Sequence, residues 1–320
     1  MSVLRIGTRG SALAMWQARA VATSLERMGV PAELVSISTR GDRRQDVPLT
    51  ALGGKGVFVT EIHEALLRGD IDVAVHSAKD MAATSPDGLT IAATLPREDP
   101  RDALVERRRG DPADPAAHEG RPGEFDPAGR NAPPYEGGVI GTGSPRRIAQ
   151  LRRLFPDARF EPIRGNVDTR LRRLDAGDVD ALVLACAGLR RLGLVERITA
   201  AIRVDHCVPA PGQGIIAVET RRSDERTLEI LTAMNDPASR MALSAEQAVV
   251  AELGGGCQLP LGVFADAHDG ILSIRAIAAS SDGATVVEGL VTGDPDDPVE
   301  AGTRLGRELA SRGARELLNS

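Results

Sequence analysis

The chain of 320 residues is poor in lysine, aromatic residues and cysteine. Lysine occurs only at Lys55 and Lys79, so 37 of the 39 basic residues are arginine. A compact ammonium is thus confined to two positions, and every other cation is a planar guanidinium suited to bidentate contact with a carboxylate. The seven aromatic residues are too few and too dispersed to build base-stacking platforms. Three cysteines, Cys186, Cys207 and Cys257, make no disulfide framework, which points to a reducing cytoplasm. The longest apolar run, Ala181–Leu189, is far too short to cross a bilayer, and Arg5 interrupts the N-terminus before a signal-peptide core can form. A net charge of −6 argues against a general nucleic-acid or membrane-surface binder. Nucleotide motifs are missing too. Gly53-Gly54-Lys55-Gly56 lacks the Ser or Thr that comes after a phosphate-loop lysine, and Gly141-Thr142-Gly143 lacks the third glycine of a dinucleotide fingerprint. The scattered His and Cys residues have no zinc spacing, so no metal is expected.

What remains is a globular composition, 42% hydrophobic and 26% charged, long enough for two or three domains. Short apolar strands alternate with amphipathic helices through the first two thirds. Val3–Gly7, Ala32–Ile37, Ile71–Val75, Val139–Gly141 and Ala181–Ala185 read as strands. Helices are expected from Ser11 to about Met28, and over Val57–Leu67, Ser144–Leu154 and Asn166–Leu174. This alternation predicts an α/β fold with largely parallel sheets. The last part differs: a helix over Ala238–Leu253, strands near Leu261–Ala265, Leu272–Ala279 and Ala284–Val291, and a terminal helix from about Val299 suggest a small α+β domain. Residues 107–138 hold six Pro and six Gly and read as a mobile surface insertion.

Charge is uneven. Val139–Arg173 carries nine Arg against Asp157, Glu161 and Asp168, a local excess of +6 in an acidic chain. Several of these arginines stand beside glycine and helix-capping residues, where a ligand site is more plausible than a solvated face. In Gly7-Thr8-Arg9-Gly10-Ser11 a strand ends in a tight turn and Ser11 caps a helix, leaving backbone N–H groups and Arg9 for an anion. In Gly141-Thr142-Gly143-Ser144-Pro145-Arg146-Arg147 the order of Ser then Pro marks the N-cap and first helical position. Arg146 and Arg147 then oppose the helix dipole, which calls for a nearby anion. In Arg164-Gly165-Asn166-Val167-Asp168-Thr169-Arg170 the two end arginines can face one space, or pair with Asp168 and Glu161 instead. His76-Ser77-Ala78-Lys79-Asp80 comes directly after a strand, where Asp80 is placed for acid–base work and Lys79 for neutralising an acidic ligand. Gly254-Gly255-Gly256-Cys257 presents a thiol on a loop open to close approach, a candidate nucleophile or covalent anchor. Cys186 reads as core.

Taken in order, the segments RIGTRGSALAMWQA, STRGD, GGKGVF, DVAVHSAKD, LPREDPRDAL, GTGSPRR, RGNVDTRL, ACAGLRRLGL, PAPGQG and GGGCQLPLG resemble the porphobilinogen deaminase family over Leu4 to about Leu318. The resemblance implies two periplasmic-binding-protein-like α/β lobes plus a smaller C-terminal α+β domain, here 1–98 with 213–232, 101–208 and 237–320. It implies a dipyrromethane cofactor held by a thioether to Cys257, with porphobilinogen as substrate and a monomeric cytoplasmic enzyme. Four units are condensed head-to-tail with release of ammonia, and hydrolysis frees hydroxymethylbilane. By the same resemblance Asp80 is catalytic. Lys79, Asp80, Ser144, Arg146, Arg147 and Gln213 hold the cofactor. Arg9, Ser11, Arg164, Arg170 and Arg191 bind substrate. Gly254 departs from many family members and would loosen the loop before Cys257.

Overall fold

The computed structural model describes residues 3–43, 58–107, 123–125, 138–254 and 259–319. The chain begins with β1 (Leu4–Thr8), α1 (Ala12–Arg27), β2 (Ala32–Ser36), α2 (Arg40–Arg43), α3 (Thr60–Arg68), β3 (Val73–Ser77) and β4 (Leu89–Thr94). It crosses to β5 (Asp102–Glu106), β6 (Gly123–Phe125), β7 (Val139–Gly141), α4 (Pro145–Leu154), β8 (Arg159–Glu161), α5 (Val167–Asp175), β9 (Ala181–Ala185), α6 (Cys186–Arg191) and β10 (Ala200–Ile202). It then returns through β11 (Ile216–Arg221) and α7 (Glu225–Thr232). The final stretch holds α8 (Pro237–Leu253), β12 (Leu261–His268), β13 (Ile271–Ala279), β14 (Val286–Gly293), α9 (Pro298–Ser311) and α10 (Ala314–Asn319). Among the described residues no helix is long and apolar enough to cross a membrane.

Three sheets result. The first has the order β2-β1-β3-β11-β4, the second β6-β10-β5-β9-β7-β8, and the third is β12-β13-β14. The expectation of largely parallel sheets needs correction. β1 runs parallel to β2 and β3, but β11 is antiparallel to both β3 and β4. In the second sheet β7 is parallel to β8 and β9, whereas β5 is antiparallel to β9 and β10. The physical reason is the crossing of the chain. β5 and β11 each enter a sheet from the segment that joins the lobes, against the direction set by the βα units. The two crossing segments bond to each other, Leu95 N–H to Ile216 C=O and Glu98 N–H to Gly214 C=O. Gly214 has φ +88°, a left-handed backbone that favours glycine at this junction.

Local chemistry explains the element starts. The Ser11 hydroxyl accepts from Ala14 N–H and opens α1, and the Ser144 hydroxyl accepts from Arg147 N–H with Pro145 in the first turn of α4. Asp236 and Pro237 open α8 in the same way, and Gly254 ends it in the left-handed conformation. The first sheet is covered on one face by the cluster containing Ile6, Leu25, Val73 and Val218, and on the other by Ile62, Leu66 and Ala74. α8 and α9 pack on the antiparallel third sheet through Leu243, Val249, Leu305 and Ile274. The same cluster takes in Ala78, Ile215 and Ala217, so the third unit rests against the first lobe beside its central strands. Most of the insertion expected over 107–138 lies outside the described residues, but Gly123–Phe125 adds an edge strand parallel to β10.

Candidate active site

A cleft of about 640 Å³ opens where the two lobes face each other. Its walls are the turns at the carboxyl ends of parallel strands and the helix starts beyond them, where backbone N–H groups and positive dipole ends point at one space. The turn after β1 supplies Arg9 and Ser11, and the 3₁₀ turn after β3 supplies Lys79 and Asp80. From the second lobe come Ser144 and Arg147, then Arg164 and Arg170, then Arg191 at the end of α6. Nine of the residues read from the sequence thus line one cleft. Cys257, with the rest of 255–258, lies outside the described residues, as do Lys55 and the Leu52–Gly56 loop.

Arg146 and Gln213 do not line this cleft: Arg146 lines an adjoining cavity with Lys79 and Ser144, and Gln213 stands behind the wall. The anion that draws the two α4 arginines is internal. Asp102, fully buried at the start of β5, accepts from Arg146 Nη1 at 2.7 Å and from Arg147 Nε and Nη2 at 3.0 and 2.7 Å. Gln213 Nε2 donates to the same carboxylate at 3.0 Å, and the Cys207 thiol lies 3.4 Å from it. Arg146 also donates to Val208 C=O and Arg147 to Val183 C=O. The neighbouring guanidinium groups hold the Asp102 carboxyl far below the usual carboxylate range against the opposing cost of its burial. Burial also pushes the Cys207 and Cys186 thiols up to about 12, so neither is a ready nucleophile. Cys186 is fully buried in the second lobe's core, as its sequence context suggests.

Two of the cleft-facing cations, Arg164 and Arg170, are under-compensated. Neither Arg164 nor Arg170 makes an ion pair with a described residue, so the alternative pairing with Asp168 and Glu161 does not form. Arg164 Nη1 is buried with no hydrogen-bond partner, and Arg170 spends only its Nε, on Gly165 C=O at 2.8 Å. Burial, with Arg147 and Arg164 adding repulsion, pulls Arg170 down to about 10. Burial alone brings Arg191 down to about 10 despite Glu98 nearby. Arg191 donates to Gly214 C=O at the lobe junction and lies 5.8 Å from the Trp16 ring. Arg9 lies 4.1 Å over Phe58. Lys79 is partly buried in the wall, and desolvation and Arg147 bring it down to about 8 against the pull of Asp80 and Asp102. A buried guanidinium nitrogen without an acceptor, close to Arg170 whose charge its burial and neighbouring arginines disfavour, fits a ligand carrying several carboxylates.

Two groups went unread in the sequence. Asp102 sits inside the segment LPREDPRDAL, and the signal was there: an acid opening an apolar strand must find a cation. The second group joins His63, His76 and Glu219, which are remote in sequence.

The fold and cleft thus define a two-lobed α/β protein that gathers arginines around a polyanionic ligand. Comparison with known proteins makes this specific. Residues 4–229 match the family model "Porphobilinogen deaminase, dipyromethane cofactor binding domain", and residues 241–311 match "Porphobilinogen deaminase, C-terminal domain". The porphobilinogen deaminase of Syntrophomonas wolfei is 42% identical over 320 residues, covering 99% of this chain and 98% of that one. Among solved structures, a double mutant of the Bordetella pertussis BvgS VFT2 domain is similar at TM-score 0.40 and 17% identity, over 72% of this chain and 86% of that one. A Coxiella burnetii ABC transporter periplasmic substrate-binding protein is similar at TM-score 0.42 and 14% identity, over 74% and 94%. The chain belongs to the porphobilinogen deaminase family. It is a transferase of tetrapyrrole biosynthesis that condenses porphobilinogen, and its first 229 residues include the dipyrromethane-binding domain.

Proposed function

We propose that the cleft arginines hold the acetate and propionate groups of a growing oligopyrrole while Asp80 serves the condensation, giving the chain hydroxymethylbilane synthase activity. The observation that carries this assignment is the unpartnered, buried Arg164 Nη1 beside Arg170 and Arg147. Dipyrromethane, bound through a thioether to Cys257, supplies the primer on which four units are joined before hydrolysis releases the product. Lys79, Ser144 and Arg147 are placed to bind and orient that primer. Arg9, Ser11, Arg164, Arg170 and Arg191 are placed to receive each incoming substrate. Gln213 acts one layer back, because its amide is engaged with Asp102 and Pro100 C=O, whereas Arg146, bonded through Nη1 alone, joins Lys79 and Ser144 on the primer side. Asp80 holds pyrrole N–H groups and offsets the positive charge that develops at the substrate's aminomethyl carbon as ammonia leaves. It then takes part in removing the ring proton that must depart once the new carbon–carbon bond forms.

The three sheets support a division into 1–98 with 213–232, 101–208 and 237–320. A monomer is the working unit in this reading. The free, buried thiols of Cys186 and Cys207 suit a reducing cytoplasm. Incubating the purified protein with porphobilinogen and monitoring the linear tetrapyrrole tests the activity; binding without turnover would favour a non-enzymatic anion receptor instead.

A further inference from the structure

Beside the oligopyrrole cleft, one place among the described residues brings three metal-binding side chains together: His63 on α3, His76 on β3 and Glu219 on β11. The strand register sets this up. β3 and β11 pair with Ala217 opposite His76 and Glu219 opposite Ala74. His76 and Glu219 are therefore diagonal neighbours on one face of the sheet, and α3 lays His63 over them. His63 Nε2 lies 2.8 Å from Glu219 Oε2, and His76 Nε2 lies 3.6 Å from it. The two imidazoles meet edge to face with ring centres 5.5 Å apart. Side-chain exposure is 13% for His63, 3% for His76 and 0% for Glu219.

None of these polar atoms has a hydrogen bond of good geometry. Both Glu219 oxygens and both Nε2 atoms are buried without a hydrogen-bond partner. The 2.8 Å contact is an ion-pair distance that joins His63 to Glu219 when the imidazole is protonated, and the 3.6 Å contact is longer. With both rings neutral, a buried carboxylate facing two imidazole nitrogens without a well-formed hydrogen bond is costly. A cation between the three removes that cost. Zinc bound at its usual lengths to two imidazoles and a carboxylate spaces neighbouring donors by roughly 3.4 Å. The three ligand atoms here all lie within 4.8 Å of one another, so small side-chain adjustments suffice. The donor set selects the metal class: two nitrogens and one oxygen suit zinc and its transition-metal neighbours, whereas calcium and magnesium take oxygen shells.

We propose that His63, His76 and Glu219 form a structural site for a divalent transition cation of the zinc class. Such an ion ties together α3, β3 and β11. The last of these is the strand by which the chain rejoins the first lobe after crossing the second, so the ion secures the lobe's closure and takes no part in the condensation.

The test uses the full-length holoenzyme, stripped with a chelator and titrated with zinc. Bound metal is measured by mass spectrometry of the gel-filtered protein, and the melting temperature is recorded in parallel. Wild type is expected to retain one zinc per chain and to melt higher with it. His63→Ala and Glu219→Gln lose both effects. A His268→Ala control, which removes an exposed histidine 2.9 Å from Asp266, keeps them. Because a variant at buried Glu219 can fail to fold, the half-buried His63→Ala decides the matter, with its porphobilinogen turnover as evidence that it is folded. The proposal is overturned if stripped wild type takes up no stoichiometric zinc, or if His63→Ala binds it as fully as wild type does.

Discussion

Replacing Asp102 with asparagine keeps the shape of the side chain and removes its charge. The carboxylate accepts three hydrogen bonds from Arg146 and Arg147 and one from Gln213, in a fully buried position. In Asp102→Asn the two guanidiniums keep Val208 C=O and Val183 C=O but lose their counter-ion. Removing one partner of a buried ion pair costs about 3–5 kcal/mol. The two pairs share one carboxylate, so the cost is not doubled. Urea unfolding monitored by circular dichroism should therefore show a loss of about 3–5 kcal/mol at neutral pH. The effect has a pH signature. The folded-state pKa of Asp102 is depressed, so its stabilisation is complete above the unfolded-state value of about 3.9 and fades as pH falls below it. The gap between wild type and Asp102→Asn should be widest near neutrality and narrow below about pH 4. Turnover should fall as well, because Arg147 stands on the cleft wall and Asp102 fixes its fork. A variant within about 1 kcal/mol of wild type, or a gap independent of pH, would refute the reasoning.

The same geometry sets further outcomes. Arg164→Ala removes a cation with no ion-pair partner among the described residues, so stability should hold. Its kcat/KM for porphobilinogen should fall about 10- to 150-fold, the worth of one charge-assisted hydrogen bond of about 1.5–3 kcal/mol; unchanged kinetics would remove Arg164 from the binding site. Arg147→Lys retains the charge but cannot place two donors on Asp102 and a third on Val183 C=O, so urea unfolding should show a loss of about 1–3 kcal/mol with reduced turnover. Lys79, brought down to about 8, loses its proton as pH rises through that value in the free enzyme. Wild-type kcat/KM should therefore decline on the alkaline side, and Lys79→Arg should flatten that limb of the profile.

Much of the site was legible because it is written in local motifs. Ser11 and Ser144 each announce a helix start by residue type and by the helix-compatible residues after them, and the strands before them are short apolar runs bounded by glycine. Those turns place Arg9, Arg147 and Asp80 at strand ends, and the α/β layering turns them toward one cleft. The directions of β5 and β11 were not legible, since they depend on the chain leaving one lobe and returning to it. The partners of Arg146 and Arg147 were half legible. The helix dipole demanded an anion, but nothing in the local sequence distinguished a ligand's carboxylate from that of Asp102, 44 residues earlier than Arg146. The grouping of His63, His76 and Glu219 escaped for the same reason, because a pairing between β3 and β11 brings it about.

The central claim is that an oligopyrrole tethered to Cys257 grows within the arginine-lined cleft. Intact mass spectrometry of the denatured protein, before and after brief exposure to porphobilinogen, tests it most directly. Wild type should carry a dipyrromethane-sized adduct that lengthens by single pyrrole increments, and Cys257→Ala should carry none and be inactive. An unmodified wild-type mass with full turnover would contradict it.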